Sequence, residues 1–108
     1  MPAGFRAALA GQPFQGVVLI RARKCPALEG FGWSMMEEMV RRLDQFDIFS
    51  DEQDALATAI FGDAVQLPFD GDGRIVLPAG LMEYTGLQEQ AAFVGMGRKF
   101  QIWEPEAL

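Results

Sequence analysis

From residue 34 onward the apolar positions keep a helical period. Met35, Met36, Met39, Val40 and Leu43 form one stripe, with Glu37, Glu38, Arg41 and Arg42 off it, the spacing with which a helix buries one face. Ser34-Met-Met-Glu37 reads as a capping box: the serine oxygen accepts from an orphan amide of the first turn, and the glutamate reaches back to the serine amide. Ser50-Asp-Glu-Gln53 repeats the signal, with Asp51 and Glu52 suited to the positive end of the helix dipole and Ala55, Leu56, Ala59 and Ile60 as its apolar face. The pattern predicts two short helices joined through residues 45–49, an αα-hairpin. A methionine stripe also suits an adaptable partner surface, but at helical spacing its commoner use is core.

After the helices the period shortens. Residues 64–69, 74–77, 91–95 and 100–103 are short β-type runs. Gly95 and Gly97 in VGMGRKF separate the last two and predict a hairpin. Pro78 suits a first helical turn and Gly86 the position after a last one, so residues 79–85 are predicted as a short helix.

The two ends of the chain share a pattern. PAGF at 2–5 matches PAGL at 78–81, Arg23-Lys24 matches Arg98-Lys99 at nearly the same offset, and the apolar run at 17–20 lies opposite 91–94. Matched order and spacing predict an internal repeat. The division expected is 1–57, the remainder of a first repeat plus the helical pair, and 58–108, the second repeat. PAGL follows two β-type runs and PAGF follows only Met1, so the chain is expected to begin inside its first repeat, roughly 20 residues late. Strands lacking their counterparts leave a sheet edge open, and self-association is predicted on that ground.

Composition narrows the chemistry. The 108 residues are 50% hydrophobic, with mean hydropathy +0.09, enough for one globular core. No apolar run reaches the roughly 18 residues of a membrane span, and no secretory-leader pattern opens the chain, which reads as cytoplasmic with no membrane partner. There is no histidine, Cys25 is the single cysteine, and Ser34 and Ser50 are the two serines. Histidine general bases, histidine or thiolate metal sites and C-x-x-C redox pairs are thereby excluded, and no metal, cofactor or small-molecule substrate is expected. Cys25 is expected as a buried thiol filling an apolar position rather than a nucleophile. No enzyme class fits. The net charge of −6 hides a segregation: residues 43–72 hold eight acids and no lysine or arginine, while the remainder is mildly basic. A local basic face therefore remains open to phosphates within a Debye length.

The densest cluster of special residues is PFDGDGRIVLPAG, 68–80. As a calcium loop it fails, since glycine falls at the fourth position rather than the sixth and Leu81 stands where a bidentate glutamate belongs. As a phosphate loop it also fails, because Gly73 is followed by a strand-type run rather than a helix. A tight turn between strands remains. Gly71 and Gly73 supply φ > 0, and Asp70 accepts from turn amides and pairs with Arg74 across the mouth, which fixes Arg74 at the tip.

Asp70-Gly-Asp-Gly-Arg74, then IVLPAGLMEYTGL, then AAFVGMGRKFQIWEP, closely resembles the second repeat of the MraZ family, within the SpoVT/AbrB-like superfamily. PAGFRAAL, the apolar strand after it and the helical pair at 34–62 fit that family's first repeat and connector. The resemblance implies an α+β fold: two AbrB-like repeats with barrel-like β-structure and a helical pair between them. It implies a transcriptional regulator that binds repeated promoter boxes of the cell-division and cell-wall gene cluster, assembles as a homo-oligomeric ring and associates with the nucleoid. It also implies that D-x-x-x-R loops face DNA. Of these the second transfers here, with Asp70, Gly71, Gly73 and Arg74 as DNA-binding candidates; the basic turn Arg98-Lys99 joins them as a contact to DNA or to a neighbouring subunit. Two alternatives stand beside it: an oligomerisation module with little DNA binding, and an AbrB-like antitoxin.

Overall fold

The computed structural model describes residues 2, 4, 9, 11, 14–22 and 24–108. The expected helix begun by PAGF lies mostly outside them, as do Arg6 and Arg23 and the side chains of Ala59 and Ile60. The described chain runs β1 (Gly16–Arg21), β2 (Leu28–Phe31), α1 (Trp33–Leu43), α2 (Asp51–Ala57), a π-helical turn (Thr58–Asp63), β3 (Val65–Pro68), α3 (Ala79–Thr85), β4 (Ala92–Met96) and β5 (Lys99–Trp103). The fold is α+β, as the sequence implies.

The five strands form one antiparallel sheet in the order β3-β1-β2-β5-β4. Two hairpins, β1–β2 and β4–β5, meet along β2 and β5, where Glu29 stands opposite Gln101. The apolar runs that the repeat pattern matches, 17–20 and 91–94, fall in β1 and at the start of β4, each the first strand of a hairpin. β3 belongs to the second half of the chain yet flanks β1 of the first, with Val17 opposite Leu67. Among the described residues the sheet stays open, with β3 and β4 at its ends.

Alternation sets the two faces. Val17, Leu19, Leu28, Leu67, Phe100 and Ile102 point to one side and are buried there with Leu9, Leu81 of α3 and Leu87. Gly30 stands opposite Phe100, and a Cβ on it would sit 2.5 Å from the Phe100 ring; the glycine makes room for that ring. On the other face Val18 and Phe31 are paired in the ladder and sealed, and α1 and the π turn are among the elements that contact β1. β1 is thus buried from both sides, and truncation of a side chain such as Leu19 to alanine would cost about 2–5 kcal/mol.

Several local expectations change. The second capping box holds in its first arm: Ser50 Oγ accepts from the Gln53 amide at 3.1 Å. The first does not. α1 starts earlier, on Gly32 as N-cap, so Ser34 lies inside the first turn; Trp33 is drawn into the helix where its ring meets Phe14 edge-on, centroids 6.5 Å apart. The predicted stripe of α1 is at most half-buried, with no fully buried residue in the helix, while Arg41 and Arg42 sit favourably on its negative end. β2 and the π turn are elements the pattern did not reveal. Residues 74–77 alternate like a strand, with Ile75 and Leu77 packed on the core and Val76 82% exposed, but they pair with no strand among the described residues. A ladder needs a partner, which alternation alone does not supply.

Candidate nucleic-acid interface

β3 ends at Pro68, and the next residues turn back on themselves. The Asp70 amide donates to the Arg74 carbonyl at 2.8 Å and the Gly73 amide to the Asp70 carbonyl at 3.0 Å. Asp70 Oδ1 accepts from both the Asp72 and Arg74 amides, each at 2.8 Å. One carboxylate therefore satisfies two inward-pointing donors of the turn, an Asx arrangement that suits aspartate because its short side chain reaches its own backbone. Gly73 takes φ +74°, a left-handed value that costs other residues about 1–2 kcal/mol. Gly71 does not: its φ is not positive, and a Cβ there would meet nothing within 4 Å. The expected freedom at Gly71 is unused, and Gly73 alone makes the turn. Asp70 accepts from the turn amides as expected, but no ion pair to the Arg74 side chain accompanies them among the described residues. Its oxygen is committed to backbone amides, and the amide of Arg74 is the foremost reason its carboxyl is held below the usual range, with the Asp72 amide and the Arg74 charge acting the same way.

This arrangement leaves the Arg74 side chain exposed, with no ion-pair partner among the described residues. α3 follows directly from the loop and anchors it. Leu81 is buried in the core, Gly86 at φ +74° ends the helix, and the Tyr84 hydroxyl donates to the Ala22 carbonyl beyond β1. Arg21 stacks over the Tyr84 ring, 5.7 Å from its centroid, and holds Asp63 of the π turn at 2.6 Å. The loop is therefore fastened to the sheet on both flanks.

The other basic candidates have different surroundings. Arg98 follows Gly97, at φ +76°, in the β4–β5 turn, and its guanidinium is bonded to Glu38 of α1. The bond to Arg98 is the main cause holding Glu38 below the ordinary carboxylate range, and Arg98 is raised in turn by the same contact. Lys99 reaches Glu29 of β2 at 3.0 Å, and the same carboxylate accepts from Gln101 at 3.3 Å, which in turn accepts from the Trp103 indole at 2.9 Å. The structure thus gathers Asp70, Gly71, Gly73 and Arg74 in one loop and ties Arg98 and Lys99 separately to carboxylates. Glu29 and Glu38 were missed in the sequence, where nothing marks a charge pair across 70 residues. Among the described residues no group of three metal-ligating side chains occurs, and no helix is long and apolar enough to cross a membrane.

Two antiparallel hairpins joined in one sheet, a short core-facing helix behind an Asp-to-Arg loop and helices between the hairpins define an α+β unit that presents one arginine on a locked turn. The family model described as "MraZ protein, putative antitoxin-like" matches residues 60–107. The protein named transcriptional regulator MraZ in Rickettsia akari (strain Hartford) is 44% identical over 106 residues, 98% of this chain and 71% of that protein. Those of Rickettsia bellii (strain OSU 85-389) and Rickettsia rickettsii (strain Sheila Smith) are 42% and 44% identical over the same shares. The chain belongs to the MraZ family.

Proposed function

We propose that this protein is a sequence-specific DNA-binding transcriptional regulator, acting on promoter repeats of the cell-division and cell-wall gene cluster as a homo-oligomeric ring in the cytoplasm, at the nucleoid. A transcriptional role is supported by the names of its relatives. The observation that carries the DNA reading is Arg74: an exposed guanidinium with no carboxylate partner among the described residues, on a turn locked by Asp70. A guanidinium so held meets the N7 and O6 edge of a guanine with two parallel bonds, worth about 1–3 kcal/mol of discrimination, or else a phosphate.

A single arginine per subunit binds weakly. Several at fixed spacing gain through effective concentration once the first is seated, which reconciles DNA binding with a net charge of −6. Arg98 and Lys99 contribute to this surface only to the extent that Glu38 and Glu29 release them.

Fluorescence anisotropy with DNA carrying tandem promoter boxes tests the reading. Arg74→Ala should weaken binding roughly 5- to 150-fold, the equivalent of one bidentate contact, and flatten the salt dependence. Equal affinity of parent and variant would sink the assignment of Arg74. No measurable binding by the parent would favour the alternative, an assembly module with little DNA binding.

A further inference from the structure

Two features outside the loop remain unexplained by it. The first is the bend between α1 and α2. Ile48 is 69% exposed and Phe49 90% exposed, the most exposed phenylalanine among the described residues. Their backbone is not loose. Asp47 Oδ1 accepts from the Phe49 amide at 3.1 Å, the Asp47 carbonyl accepts from the Ser50 amide at 2.9 Å and hydroxyl at 2.8 Å, and Ser50 Oγ caps α2. A firm turn that holds two large apolar side chains in water has the form of a preorganised binding knob. Asp44, Asp47, Asp51, Glu52 and Asp54 flank it along the chain, with no lysine or arginine between 43 and 73.

The second feature is an open cavity of about 690 Å³ at the far end of the β1–β2 hairpin, with Ile20, Ala22, Cys25 and Tyr84 among its walls. Its volume falls in the range of ligand and side-chain pockets. Most of its charges are spent. Arg21 is held by Asp63, and Glu29 by Lys99. Lys24 is exposed and has no carboxylate partner among the described residues.

We infer that the cavity is the socket for the Ile48-Phe49 knob of a second copy of this chain, with Lys24 set against the acids beside that knob. Knob against knob is disfavoured by like charge on both sides. Knob into socket joins an apolar tip to an apolar-walled cavity and an acidic collar to an unmatched lysine. The two surfaces differ, so the contact is head-to-tail and repeats from copy to copy until the rotation closes it. The inference rests on the self-association in the proposed function, for which it supplies the contact, and it makes no use of DNA.

The test is sedimentation velocity on the full chain without DNA, with circular dichroism as the folding control. Phe49→Ser removes the knob at an exposed site, and alkylation of Cys25, the single cysteine, with a bulky maleimide fills the socket. Each alone should remain monomeric while the parent assembles. An equal mixture should give a heterodimer, because one intact knob and one intact socket remain. Lys24→Glu should weaken assembly about tenfold, and mixing it with Asp51→Lys should recover part of the loss. Arg74→Ala should assemble as the parent does, which separates this contact from the DNA reading. A monomeric parent at ~100 μM, unchanged assembly of Phe49→Ser, or a mixture that stays monomeric would each overturn the inference. Occupation of the cavity by a small molecule would leave assembly indifferent to Phe49 and overturn it equally.

Discussion

Two turns in this molecule are built from the same pair of residues and end in opposite states. Gly73-Arg74 and Gly97-Arg98 each place an arginine directly after a glycine at φ near +75°. In the first, the nearby acid, Asp70, spends an oxygen on backbone amides and leaves the guanidinium exposed. In the second, the acid comes from another element, and Glu38 takes the guanidinium itself. Whether an arginine is available to a phosphate therefore depends on what the neighbouring carboxylate is already doing. The same basic residue is exposed and unpaired among the described residues in one turn and a structural tie in the other.

The comparison is broken most directly by exchanging the alanine between the turns. Arg74→Ala should lose roughly 5- to 150-fold in DNA affinity, whereas Arg98→Ala should stay within about twofold, since its charge is already matched. Parallel anisotropy titrations decide this, and equal losses would mean the tie to Glu38 opens on binding. Next in size is Asp70→Ala, which keeps Arg74 but removes the acceptor of two amides. DNA affinity should fall several-fold, with faster hydrogen exchange at the Arg74 amide; unchanged exchange would show that the carboxylate does not lock the turn.

Acid should reach the turn late. The folded-state carboxyl of Asp70 is held below its ordinary value, chiefly by the Arg74 amide. Its contribution is therefore fully present above the unfolded value near 3.9, and it is lost as pH falls through the lower folded value. An NMR titration should leave the Arg74 amide shift flat from neutrality to about pH 4, then move it. A midpoint above the ordinary aspartate value would contradict the hydrogen-bonded turn. The smallest effect expected is a gain: Glu38→Gln frees Arg98 and removes an acid, so DNA affinity should rise about two- to threefold at low salt and not at high salt.

Much of the fold was legible where the determining residues are close in sequence. Ser50 and Gln53 are three apart, and their cap formed; Pro78 and Gly86 bracket α3 at the residues expected. The apolar run at 17–20 was readable as a strand, and it lies in β1, paired with β2, whose Glu29 faces Gln101 of β5. Failures lie where distant residues decide. Ser34 is not the cap because the helix starts two residues earlier, on Gly32, where Trp33 meets Phe14. Residues 74–77 have a strand's alternation without a described ladder partner. β2 is four residues long with a glutamate in it, too short for a period to register. In the candidate site, the turn and its arginine were visible because Asp70 acts over four residues. The neutralisation of Arg98 and Lys99 was not, because Glu38 and Glu29 reach them only through the folded sheet.

The position of β5 bears on how the chain leaves the ribosome. It sits inside the sheet, between β2 and β4, and Gln101 reaches Glu29 across 72 residues. At about 5–20 residues per second of synthesis, β2 waits on the order of ten seconds for its neighbour. During that time the first hairpin is translated but its inner edge is bare. The β3-β1-β2 part of the sheet has all its strands once residue 68 is out, whereas the β2–β5 seam waits for the end of the chain. A chaperone that shields the unpaired edge of β2 would have its opportunity before residue 99 emerges.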